Sequence, residues 1–267
     1  MARHSDAPKD PAPWLDALAG SHRDLSSAVR SLDDEDLRLP SYCDEWSVAQ
    51  VLSHLGSGAE IFRMRLDAIL AGEPPPAREQ FPDVWDRWNA KSPEDQAADF
   101  VTADARVVAS LQDAADRLAG LEITLFGSMT VDGAGFVGMR LNEHALHAWD
   151  VAVTFDPSAR VRPDAVGMLI ERLPAATYAG HAEGAGDERP WSSVVVTTDS
   201  ARAFSIEVGD DIAITEVTGT GAVGDLHLPA ESTLRLVYGR LDPAHRPPVD
   251  ASELPALDQL GRIFSGF

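Results

Sequence analysis

The chain has 267 residues, 44% of them apolar, enough for one large or two modest domains with a sizeable core. Acidic residues outnumber basic ones 43 to 22, and a formal charge of −21 repels phosphate backbones and anionic lipid, so nucleic-acid binding through a basic face is not expected. The one cysteine, Cys43, rules out an intramolecular disulfide. That fits a reducing cytoplasm. Met1 to Asp10 is polar and carries no apolar signal segment, and no apolar run approaches the ~18–20 residues of a membrane-spanning helix. A cytoplasmic protein without a membrane partner is the expectation.

Residues 1–12 read as a loose arm. A helix follows from about Trp14 to Leu32, with Trp14, Leu18, Leu25, Val29 and Leu32 in steps of three and four and His22 filling the gap in the stripe. Leu39 to Trp46 is an irregular link. Ser47 opens a second helix with Gln50 at capping-box spacing, and the helix runs through Val51, Leu55, Phe62, Leu66 and Ile69 until Gly72 and Pro74-Pro75-Pro76 stop it. Residues 73–91 read as a long connection holding Trp85 and Trp88. Ser92-Pro93 starts a third long helix that extends to about Leu118. A glycine-punctuated stretch, 127–135, leads to a fourth helix from about Phe136 to Val153, closed by Asp156-Pro157.

Four long helices with a long crossover predict a bundle. The character then changes. A helical segment from Pro163 to Tyr178 and a loop from Gly180 to Pro190 precede three short β-rich runs, Val194–Thr198, Ala203–Val208 and Ile212–Val217. Helices are expected near Ala230–Tyr238 and Leu254–Phe264. The fold class is therefore α+β, with a helical bundle over residues 1–160 and a small α+β domain over 161–267.

The fourth helix contains Glu143-His144-Ala145-Leu146-His147-Ala148-Trp149-Asp150. Glu143 and His147, four apart, share a helix face and can reach one cation. Taken alone, the pair reads as a surface ion pair. His54, at the edge of the second helix's apolar stripe, reads alone as a hydrogen-bonded core histidine. Together the three make a His2Glu set, whose donors suit zinc or a similar divalent metal and leave a coordination position open for water or a thiol. A thiol held there would be available as thiolate at neutral pH.

Pro40 to Leu55, with Trp46-Ser47-Val48 and His54-Leu55, resembles the opening motif of the mycothiol-dependent maleylpyruvate isomerase family, whose N-terminal domain is a DinB-like four-helix bundle. Glu143-x-x-x-His147-x-Trp149-Asp150 resembles that family's second motif, in the family's order and separation. The resemblance covers residues 12–155 and extends weakly through Leu236-Val237-Tyr238-Gly239-Arg240. It implies zinc at His54, Glu143 and His147, and mycothiol, a sugar thiol of actinobacteria, as cosubstrate. It also implies a small electrophile that is isomerised or conjugated, and a role for Arg240 near an anionic substrate.

Other residues carry competing readings. Asp150 either orients a ligand imidazole or is a solvated helix-end charge. Trp46 and Trp149 read as core anchors. Arg140 meets an anion or, more simply, a surface salt bridge. His144 points away from the Glu143 face, structural or exposed. Cys43 lacks a matched histidine base and reads as inert. Arg240 has the plainer reading of a helix C-terminal cation. Gly219-x-Gly221-x-x-Gly224 matches a dinucleotide-binding pattern, but a poor helix opening follows it and no ribose-binding acid is in place. A thiol-dependent isomerase or S-transferase is the first reading. A non-catalytic metal- and thiol-binding regulatory module is the alternative. A hydrolase using bound water shares the ligands but lacks a separate general base.

Overall fold

The structure, a computed structural model, describes residues 10–43, 45–125, 129–175, 191–209, 211–217 and 224–264. The loop expected over Gly180–Pro190 and the first two glycines of the glycine-rich pattern lie outside the described residues. The chain divides into two compact units, Met1–Ala165 and Val166–Phe267.

The first unit is built on four long helices: α1 (Ala12–Val29), α2 (Val48–Ala71), α4 (Pro93–Asp113) and α6 (Gly133–Phe155). Both α1 and α2 pack on both α4 and α6, which closes a four-helix bundle. Leu52, Leu55, Val107 and Leu111 are fully buried in it. Each such side chain contributes roughly 1.5–3 kcal/mol of transfer free energy. The start of α2 has the predicted chemistry. The Ser47 hydroxyl accepts from Gln50 N at 3.3 Å and the Gln50 side chain accepts from Ser47 N at 2.8 Å. Gly72, with φ 72°, ends the helix in the left-handed conformation.

Three features depart from the sequence reading. The 73–91 connection contains a helix, α3 (Pro82–Asn89), with Val84 and Trp88 buried on one face. Trp88 lies so close to Gly56 of α2 that a β-carbon there would fall 2.2 Å from the indole, and its Nε1 donates to Glu60 Oε2 at 3.0 Å. The third long helix breaks at Ala114, and α5 (Ala115–Leu118) follows. Strands β1 (Glu122–Leu125) and β2 (Met129–Asp132) then pair antiparallel, and α6 begins three residues earlier than expected. Asp132 caps it by accepting from Gly135 N at 2.7 Å. Gly133 is required there because a β-carbon would lie 2.2 Å from the Leu118 carbonyl oxygen.

Helix α7 (Pro163–Ile170) spans the division between the units. In the second unit β3 (Trp191–Thr197), β4 (Ala203–Val208), β5 (Ile212–Glu216) and β6 (Leu226–Leu228) form a sheet of order β5-β4-β3-β6. The pairs β3–β4 and β4–β5 are antiparallel, whereas β6 joins β3 in parallel. The sequence reading missed β6, whose three residues are too few to show alternation. Helix α8 (Ala230–Val237) packs on β3 and β6, and α9 (Leu254–Ile263) follows. The chain is thus a helical bundle followed by a smaller α+β part. Among the described residues no helix is long and apolar enough to cross a membrane.

Candidate metal centre

Val51, Leu52 and Leu55 bury the inner face of α2, and His54 sits at the edge of that stripe with its side chain 36% exposed. Helix α6 packs on α2 and presents Glu143 and His147 one turn apart. His54 Nε2 lies 3.2 Å from Glu143 Oε2, and His147 Nε2 lies 3.9 Å from the same oxygen. One ligand atom from each of the three falls within 4.8 Å of the others. The two residues of α6 and the one of α2, separated by 89 positions in the chain, are therefore brought together. Crowding by neighbouring atoms pushes the Glu143 pKa up. The hydrogen bond from His54 and the charges of His147, His54 and Arg140 outweigh it, and the pKa falls to about 2.

Asp150 is fully buried, so it is not a solvated helix-end charge. Its Oδ2 lies 2.8 Å from His147 Nδ1, where a carboxylate takes the N–H, and His147 Nε2 faces Glu143. The same oxygen accepts the Cys43 thiol at 3.1 Å, and Cys43 Sγ is 3.6 Å from His147 Nδ1. Cys43 therefore does have a histidine within reach, contrary to the sequence reading. A thiolate at that sulfur would face the Asp150 carboxylate, so the geometry suits a thiol donor better than a nucleophile. No spacing rule links positions 43 and 150. The contact depends on the loop Pro40–Ser47, closed by an antiparallel bridge between those two residues and held at Glu45 in a left-handed conformation of φ 69°. The loop also leaves Trp46 37% exposed, with its ring centroid 5.3 Å from that of His54 and 6.5 Å from that of His147. Trp46 is thus a half-open wall of the site rather than the core anchor expected, whereas Trp149 is 2% exposed and is an anchor.

The family of the mycothiol maleylpyruvate isomerase N-terminal domain matches residues 18–152, half of the chain and both motifs. The chain belongs to this family. Two solved structures share the fold: a crystal structure of the mycothiol-dependent maleylpyruvate isomerase and one of a histidine-to-alanine mutant of it. Each is 15% identical, with a TM-score of 0.63 over 90% of this chain and 93% of that chain. No curated protein matches in sequence.

In this maleylpyruvate isomerase family member Arg140 sits differently from expectation, and His144 takes the structural one of its two readings. Arg140 is no surface group: it is 2% exposed and donates to Asp104 Oδ1 at 2.6 Å and to the Leu55 carbonyl at 3.0 Å. His144 has no exposure. Its Nδ1 is 2.8 Å from Ser21 Oγ, and its Nε2 is 2.8 Å from Asp104 Oδ2, off the N–H axis. His22 Nδ1 also reaches Asp104 Oδ2, at 2.7 Å. Burial pushes the Asp104 carboxyl up, but the charges of His144 and Arg140 and the contacts from His144 and His22 hold it well below the usual carboxylate range. Polar residues set into otherwise apolar stripes on three helices, His22 on α1, Asp104 on α4, and Arg140 and His144 on α6, were the available signal for this cluster. Arg240 lies in the second unit, 4% exposed, with Nη1 donating to the Tyr238 carbonyl at 2.8 Å.

Proposed function

We propose that this chain is a metal-dependent enzyme that uses mycothiol to isomerise or conjugate a small electrophile, in the manner of a maleylpyruvate isomerase. The convergence of His54, Glu143 and His147 carries the reading. Two imidazole nitrogens and a carboxylate oxygen are the donor set of a zinc site with an open position, and the Asp150 carboxylate at His147 Nδ1 favours the tautomer such a site needs. Zinc held by these residues would supply the Lewis acidity that makes a thiol available as thiolate at neutral pH.

The protein's own groups support that chemistry. Glu143 is ionised throughout the neutral range, so it is ready to hold a cation. Trp46 offers an apolar face beside the imidazoles, against which a thiol or substrate can pack and exclude water. Cys43 stands on the Nδ1 side of His147, where it braces Asp150 and leaves the Nε2 side to the metal.

Metal analysis of the purified protein, followed by turnover with and without mycothiol over a panel of electrophiles, tests the proposal. His54→Ala or His147→Ala should lose most bound metal and activity. Full activity after either histidine change overturns the site. Metal and thiol binding without turnover of any electrophile replaces the enzyme with a regulatory binding module.

A further inference from the structure

The buried cluster behind the candidate centre contains a cation that packing alone does not require. Asp104 on α4 gathers His22 from α1 and both Arg140 and His144 from α6. One nitrogen of Arg140, Nη2, donates both to Asp104 and to the carbonyl of Leu55, the residue that follows His54. Arg140 itself sits one turn ahead of Glu143 on α6. Gly58 of α2 makes room for it, since a β-carbon there would lie 3.3 Å from Arg140 Nη1. A single guanidinium thus ties the α2 backbone beside one proposed ligand to the α6 turn that carries the next, with α4 as the anchor.

Burying an arginine and an aspartate to 2% and 0% exposure costs solvation that their attraction need not recover, and apolar residues of equal volume would often pack as stably. An apolar residue cannot provide a positive charge near Glu143 or a fixed link to the His54 turn. We propose that Arg140 is a positioning residue: braced by Asp104, it sets the register of α2 against α6 so that His54 meets Glu143 and His147. This rests on the metal reading of that trio.

Zinc affinity, measured on the full chain by competition with a chromophoric chelator, tests the role, with the visible spectrum of the cobalt-loaded protein as a second readout. Arg140→Met should weaken zinc by about 10- to 100-fold and alter the cobalt spectrum, as loss of a group that supports metal ligands does. Arg140→Lys, which keeps the charge, should recover part of the loss. Leu111→Ala, a core truncation of α4, should lower thermal stability and leave zinc affinity within about twofold of wild type, because it lies two helical turns beyond Asp104 on α4. If Arg140→Met does not fold, Arg140→Gln, which loses the charge and keeps hydrogen-bonding groups, is measured in its place with the same expectation. Wild-type zinc affinity and cobalt spectrum in either uncharged variant overturn the proposal while leaving the trio as a metal site. Failure of the wild-type protein to bind zinc or cobalt defeats the reading of the trio itself, and this inference with it.

Discussion

His147 is held from both sides. Its Nε2 faces Glu143, its ring lies 4.7 Å from that of His54, and its Nδ1 meets an Asp150 carboxylate that has no solvent exposure and also receives the Cys43 thiol. In the proposed metal site an imidazole held in this way would have its tautomer and ring plane fixed before any cation arrives, which would lower the cost of binding one. Asp150→Asn keeps the shape but offers His147 an amide in place of the carboxylate. Zinc affinity should fall by about 10- to 100-fold with the fold intact, as followed by chelator competition and circular dichroism. Unchanged affinity would mean that the His147 tautomer is set by something else. Positions 54, 143 and 147 could be named from residue type and helical spacing. The Cys43 contact could not, because it depends on one left-handed residue, Glu45, in a short loop.

At the scale of elements, the long helices followed from their own periodicity and caps, because a buried stripe repeating every three or four residues is a local property of the chain. Ser47 and Gln50 show this at the start of α2. Helix α3 and the β1–β2 hairpin did not follow, because they are short and owe their form to neighbours. Trp88 belongs to a helix of eight residues that is stabilised against Gly56, and also by Ser53 Oγ donating to Asn89 Oδ1 at 3.1 Å. An alanine β-carbon at position 56 would meet the rigid indole, so either α3 or the indole must move. Gly56→Ala should cost about 1–3 kcal/mol in chemical denaturation and shift the tryptophan emission. An unchanged denaturation midpoint would show that α3 tolerates displacement without loss.

For the molecule as a whole, the Asp104 cluster links α1, α4 and α6 through charges that have left water. A carboxylate whose folded pKa lies below its unfolded value of about 3.9 adds stability above that value, and the contribution is lost as pH falls through the folded pKa. The acid limb of the stability curve should therefore include a contribution from Asp104 that begins near pH 4 and continues below it. Asp104→Asn should remove that part of the acid dependence. At neutral pH it should cost about 3–5 kcal/mol, because Arg140 is left buried without its counter-charge. Denaturant melts of both proteins between pH 3 and 7 measure it. Parallel curves for the two proteins would place the acid sensitivity elsewhere among the 43 acidic residues.

By itself the sequence determined the helix-then-sheet order, the long helices and the His54, Glu143 and His147 candidates, since each rests on spacing along one element. Only the tertiary structure decided that these three side chains converge, that Arg140 and His144 are interior rather than exposed, and that Trp46 stands half open beside the site. The reason is physical. A helical stripe states which face is buried, but a polar residue at its edge turns inward or outward according to partners that lie dozens of residues away in the chain.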